Sequence, residues 1–231
     1  NSYQKSEKPC LNLVFCPRNY QKNSDFSDDL EKIGEKLKKI LPFSEFTDKI
    51  NLYKINITQE EENKFFKDTQ DFPPMVVRQD LLENIGNFLK KSPYKLVIID
   101  AKGGVSCAEL SEVPKVSLVI LGRSRYKAGD SFTKGFLHEL GHSLGLRDEC
   151  VNCFQVGEPG FPNCARTKED ALKYWGDLSA KGEGANFFGG CCGNRNYIRG
   201  TIASLMNDAE KAESFGPINE RYLKNVLSGA D

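Results

Sequence analysis

Residues 138–148 read HELGHSLGLRD, and the only two histidines of the 231-residue chain both lie inside that stretch. Four residues apart, their imidazoles share one face of a helix, at a spacing that lets both ring nitrogens reach a single Zn²⁺ at about 2.0–2.1 Å. Glu139, next to the first histidine, is placed to take a proton from a water at that ion. Any fold for this chain must therefore present a helix with one polar face, and must stop that helix soon after His142. Gly145 supplies the stop, since glycine tolerates the positive φ of a helix C-terminus. The chain can then turn back toward the metal. Asp148, six residues after His142, has the best spacing for a third ligand, with a carboxylate reach of about 2.0–2.2 Å. Glu149 and Cys150 are chemically competent alternatives.

The segments before the motif alternate. The apolar runs 11–16 (LNLVFC), 95–100 (KLVIID) and 115–122 (KVSLVILG) read as buried strands, and 49–57 as a strand with alternating apolar positions. Residues 27–41 place Leu30, Ile33, Leu37, Ile40 and Leu41 at helical spacing, with Ser27 as N-cap and Pro42 past the end. Residues 78–91 put Leu81, Leu82, Ile85, Phe88 and Leu89 on one helical face, while the acidic segment 58–74, ending in Pro73-Pro74, reads as a loop. The motif helix begins near Thr133. This order predicts an α+β fold: a mostly parallel twisted sheet with helices packed on it. The short link between the strands at 95–100 and 115–122 predicts one antiparallel neighbour. After residue 148 the sequence turns glycine- and cysteine-rich. Helices are expected only at 167–178, with Thr167 and Asp170 in capping-box spacing, and at 216–227, with Pro217 in its first turn. One unit in two parts follows, residues 1–149 and 150–231.

Composition narrows the partners. Lys+Arg and Asp+Glu balance at 32 each, which argues against nucleic acid or an anionic membrane as the main partner, and no apolar run is long enough to span a bilayer. The chain begins at Asn1 rather than Met, as a processed product would. Eight cysteines, an even number, predict four disulfides in a secreted protein. They fall three before the motif (Cys10, Cys16, Cys107) and five after it (Cys150, Cys153, Cys164, Cys191, Cys192), so at least one bridge would join the two parts. A structural zinc on Cys150, Cys153, Cys191 and Cys192 is the competing reading, and a thiolate that holds the catalytic metal latent is a third.

HELGHSLGLRD resembles the zinc motif of the metzincin peptidases, with Asp148 in place of their third histidine. Metzincins also carry a methionine in a tight turn beneath the metal, and SLMND (204–208) is similar, which implies that role for Met206. Their zinc cleft lies between a sheet-and-helix lobe and an irregular lobe ending in a helix. The resemblance extends to the IgA-peptidase family of bacterial metallopeptidases through LNLVF, ILPFSEFTDKINLYKI, EPGFPNC, YWGDL, FFGGCC and YIRGTIASLMND. That family is expected to have a tyrosine where this chain has Cys150. The tyrosine that helps the oxyanion in some metzincins would fall at Asp208 here, leaving Tyr197 as a remote candidate. The resemblance further implies that the strand at 116–121 borders the cleft, where an exposed edge would pair with an extended substrate. Together these readings give a secreted, zinc-dependent endopeptidase with one catalytic Zn²⁺ acting on proteins or peptides. The alternatives are a zinc-binding adhesion module with little catalysis and a zinc hydrolase of a non-peptide amide. Oligomeric state is not readable.

Overall fold

The computed structural model describes residues 11–68, 75–90, 92–108, 116–125, 130–151 and 157–229. Cys10, Cys153 and Pro73-Pro74 lie outside the described residues. In chain order the elements are β1 (Leu11–Arg18), α1 (Asn23–Leu37), β2 (Ile50–Lys54), α2 (Gln59–Phe65), β3 (Phe66–Asp68), β4 (Met75–Val77), α3 (Gln79–Phe88), β5 (Tyr94–Asp100), β6 (Cys107–Ala108), β7 (Val116–Gly122), α4 (Asp130–Ser143), β8 (Cys164–Ala165), α5 (Lys168–Ala180), β9 (Phe188–Cys191), β10 (Asn194–Arg199) and α6 (Pro217–Ser228).

The architecture is mixed α/β. The main sheet has the order β2-β1-β5-β7-β6, parallel except for β6. Its central strands read as nearly continuous apolar runs because they are covered on both faces. Leu13, Phe15, Val97, Ile99, Val119 and Leu121 enter one core, shared with Phe26, Ile33 and Leu37 of α1, with α4, and with Leu223 and Leu227 of α6. The alternate positions Val14, Cys16, Leu96, Ile98 and Ile120 enter a second core under α2 and α3. The period-2 alternation of each strand thus feeds two helical layers.

Several expectations are corrected. The predicted antiparallel partner of the strand at 95–100 is instead parallel: β7 matches β5 from Tyr94↔Val116 to Asp100↔Gly122. The antiparallel edge is β6, a two-residue strand formed within the crossover. Consequently β7 is interior, and Val119 and Ile120 are paired on both sides. α1 starts a turn earlier than expected because Phe26 extends its buried face; Ser27 is not the cap, and its hydroxyl donates to the Asn23 carbonyl at 2.9 Å. The helix ends at Leu37, well before Pro42. The segment read as a loop at 58–74 holds α2, capped reciprocally by Thr58 and Glu61, and β3, which pairs with β4. Phe88, expected on the buried face of α3, is 73% exposed and lies edge-on to Tyr53 at the β2 margin.

The cysteine-rich part is more regular than its sequence suggested. It forms a three-stranded antiparallel sheet, β8-β10-β9. α5 packs on it through Trp175, which is fully buried and donates from its indole N–H to Asn186 O at 2.9 Å. Thr167 caps α5 by accepting from the Asp170 N–H, and Pro217 begins α6, both as expected. No helix among the described residues is long and apolar enough to cross a membrane.

Candidate metal centre

α4 buries Phe132, Phe136, Leu137 and Leu140 in the first core, which leaves His138 and His142 on its other side. The helix ends in a Schellman arrangement. Leu146 N donates to Gly141 O at 3.0 Å and Gly145 N donates to His142 O at 2.9 Å. Gly145 has φ +104°, and a Cβ there would lie 2.6 Å from Tyr222 Oη, so both backbone and packing require glycine. The same turn orients an imidazole: Leu146 O, just past the glycine, accepts from His142 Nδ1 at 2.9 Å.

His138 is oriented from elsewhere. Its Nδ1 donates to Leu205 O at 2.8 Å, in the tight turn where Asn207 N and Asp208 N both reach Ser204 O. Met206 follows, fully buried, and fits because position 141 has no side chain: a Cβ at Gly141 would lie 2.7 Å from Met206 Sδ. Met206 O accepts from Glu149 N at 2.8 Å, tying this turn to the segment that carries Asp148.

With Nδ1 of each ring facing a carbonyl, which can only accept, the proton sits on Nδ1 and each Nε2 offers a lone pair. The two Nε2 atoms are 3.1 Å apart, and Asp148 Oδ1 lies 3.4 Å from His138 Nε2 and 3.3 Å from His142 Nε2. With both Nε2 atoms unprotonated, three mutually adjacent acceptors cannot satisfy one another; positive charge, a proton or a metal ion, belongs among them. A tetrahedral ion with ligands at about 2.0–2.1 Å separates its ligand atoms by about 3.3–3.4 Å, so this triangle fits one. The electrostatics agree in sign. Burial lowers the pKa of His142, but the hydrogen bond and charge of Asp148, with Glu139 beyond, raise it overall. The site attracts positive charge. Glu139 is buried at 5% exposure beside the pair.

The structure brings together His138, His142 and Asp148 and separates Asp148 from its rivals. The Glu149 side chain is fully buried and accepts hydrogen bonds from Ser204 Oγ at 2.5 Å, Asn219 Nδ2 at 3.1 Å and Asn163 Nδ2 at 3.2 Å. Burial still pushes its pKa up to about 7. Cys150 is disulfide-bonded. Among the described residues Cys16, Cys107, Cys164, Cys191 and Cys192 are free thiols, so the expected four bridges are not formed. Tyr197 packs against the buried cluster of Cys164, Cys191 and Cys192, with the Arg166 guanidinium over its ring. Sequence reasoning missed the two orienting carbonyls and the buried Glu149 network. A carbonyl carries no residue signature; Glu149 was considered only as a ligand.

No protein-family model matches the chain, and no curated protein matches it. Solved structures do match. Among them is archaemetzincin from Methanopyrus kandleri, which shares 11% identity over 65% of this chain and 84% of its own, with a TM-score of 0.33.

Proposed function

We propose that this chain is a zinc-dependent endopeptidase of the metzincin-like kind, acting on protein or peptide substrates. His138 Nε2, His142 Nε2 and Asp148 would hold its one catalytic Zn²⁺. The observation that supports this most is the 3.1–3.4 Å triangle of lone-pair donors with a buried carboxylate, Glu139, on the same helix. When bound, the ion would act as a Lewis acid, acidifying a water and polarising the scissile carbonyl. Glu139 would accept a proton from the attacking water and pass it to the departing amine nitrogen. Leu146 O and Leu205 O hold the rings so that no reorientation is needed on binding. Met206, in the turn beneath, keeps Leu205 in place. The cleft lies between residues 1–149 and 150–231, and an extended substrate would add to the sheet at β6, the edge strand against which α4 packs.

The test measures metal content and then digests a broad peptide mixture. Glu139→Ala should retain about one catalytic zinc yet cleave nothing, because Glu139 is not a ligand. Equal cleavage by wild type and Glu139→Ala would reject the mechanism. Undiminished zinc affinity in Asp148→Ala would reject the third ligand. A wild type that binds zinc and cleaves no peptide would favour an adhesion module.

A further inference from the structure

Away from the histidines, Cys164 of β8 and Cys191 and Cys192 at the tip of the β9–β10 hairpin bring three sulfurs within 4.8 Å of one another. All three are buried, at 0%, 0% and 3% exposure. Adjacent residues of a strand point to opposite faces, so two successive cysteines do not ordinarily share a target. Here the backbone departs from that rule. Cys192 at φ +51° and Gly193 at φ +72° form a two-residue turn between the paired residues Cys191 and Asn194. The first position of such a turn favours asparagine, aspartate or glycine. A cysteine held in the left-handed region is strained, and strain of this kind concentrates at functional sites.

We propose that Cys164, Cys191 and Cys192 bind, as thiolates, a second thiophilic divalent cation of the zinc type. Sulfurs about 2.3 Å from one tetrahedral ion stand about 3.8 Å apart, within the spread of this cluster. Binding forms three metal–sulfur bonds and releases three thiol protons, leaving one position for a water or another donor. Arg147, whose Nε is buried without a hydrogen-bond partner, interacts electrostatically with Cys192 and compensates the site's excess negative charge. The ligand set differs from one read around the Cys150-x-x-Cys153 spacing: Cys164 joins, and Cys150 is disulfide-bonded.

The cluster abuts the loop that presents Asp148. Cys164 Sγ lies 3.3 Å from Asp148 O, Cys192 N donates to the same carbonyl at 2.8 Å, and Gly193 N donates to Cys150 O at 3.1 Å. An ion on the sulfurs therefore fixes the backbone of residues 148–150. That consequence rests on the reading of Asp148 as a ligand; binding at the cysteines does not.

The experiment purifies the full chain under reducing conditions with zinc and counts metal per chain. Wild type should hold two equivalents. His138→Ala/His142→Ala and Cys164→Ser/Cys191→Ser should hold one each. Loaded with cobalt, the histidine variant should show thiolate-to-metal charge-transfer absorption in the near ultraviolet that the cysteine variant lacks. One equivalent in wild type, lost with the histidines and kept without the cysteines, would overturn the proposal. One equivalent that survives the histidine variant would uphold it and instead sink the peptidase site. Where the cysteine variant does not fold, native wild type decides. Cys164, Cys191 and Cys192 should resist maleimide until a chelator is added. Labelling at the same rate with and without chelator, or a disulfide among the three, would overturn the site.

Discussion

Gly141 sits inside the zinc motif without contributing a ligand, and Gly141→Ala tests why it is glycine. On an exposed helix the substitution would stabilise by about 1 kcal/mol. Here the new Cβ would stand 2.7 Å from Met206 Sδ, 3.2 Å from Phe215 Cε1 and 3.3 Å from Leu146 Cδ1. Ordinary contact is about 3.5–4.0 Å, so roughly 1 Å must be cleared against Met206 alone. All three neighbours are fully buried, so none can swing into solvent. Overpacking costs about 1–3 kcal/mol, and three close contacts with neighbours that cannot swing away put this site at about 2–3 kcal/mol, which outweighs the helix gain of about 1 kcal/mol and leaves a net loss of about 1–2 kcal/mol. For a chain of this size that lowers Tm by about 2–8 °C. The measurement is thermal unfolding by circular dichroism in chelator, so that metal linkage does not enter. A second effect follows from the hydrogen bonds. Displacing Met206 disturbs Leu205 O on His138 and Met206 O on Glu149 N, and zinc affinity should fall about tenfold or more in chelator competition. In a Met206→Ala background the stability penalty should shrink, since the tightest contact is gone. A metal-free Tm at or above that of wild type would refute the reasoning.

Three further outcomes follow from the same geometry. Glu149→Ala strands the Ser204 hydroxyl and opens a void in a fully buried network, and should cost about 2–4 kcal/mol in urea unfolding. Burial lowers the Lys95 pKa to about 8, while its ammonium donates to Ser143 O at the end of α4 at 2.6 Å. The unfolded chain therefore holds this proton more tightly between about pH 8 and 10.5, and wild-type stability should rise across that window by up to about 3 kcal/mol relative to Lys95→Met; parallel pH profiles for the two proteins would contradict it. Gly145→Ala meets both φ +104° and Tyr222 Oη and should lose at least about 1 kcal/mol, with Tyr222→Phe restoring only part of it.

Much of this was legible where one physical signal dominated. β1, β5 and β7 announced themselves as apolar runs because both sheet faces are covered, and α4 through its histidine spacing and terminal glycine. Signals failed where they competed. Thr58 and Glu61 spell a capping box, yet the acidic stretch around them masks α2, which buries only Glu62 and Phe65. The direction of β7 was misread because a short link suggests antiparallel pairing, whereas this one carries the edge strand β6. Cys192-Gly193 occupies a turn usually marked by Asn-Gly, so the β9–β10 hairpin had no recognisable punctuation. Counting cysteines by parity assumed bridges, and geometry gathered three of them as free thiols.

The choice between two neighbouring carboxylates shows what the motif leaves unsaid. Asp148 and Glu149 carry equivalent chemistry, and either could ligate a metal. Spacing favours the first, but side-chain spacing alone would not hold it there, since a one-residue slip would bring Glu149 to the histidines. The register is fixed by the backbone between them. Glu149 N is bound to Met206 O, and Asp148 O is bound to Cys192 N, so the chain is pinned on both sides of the peptide that joins the two residues. The Glu149 side chain is then occupied by Ser204, Asn163 and Asn219 in the interior, and the Asp148 side chain is left to the imidazoles. Residues from 163 to 219 therefore select which carboxylate faces the histidines, although the motif read alone ends at 148.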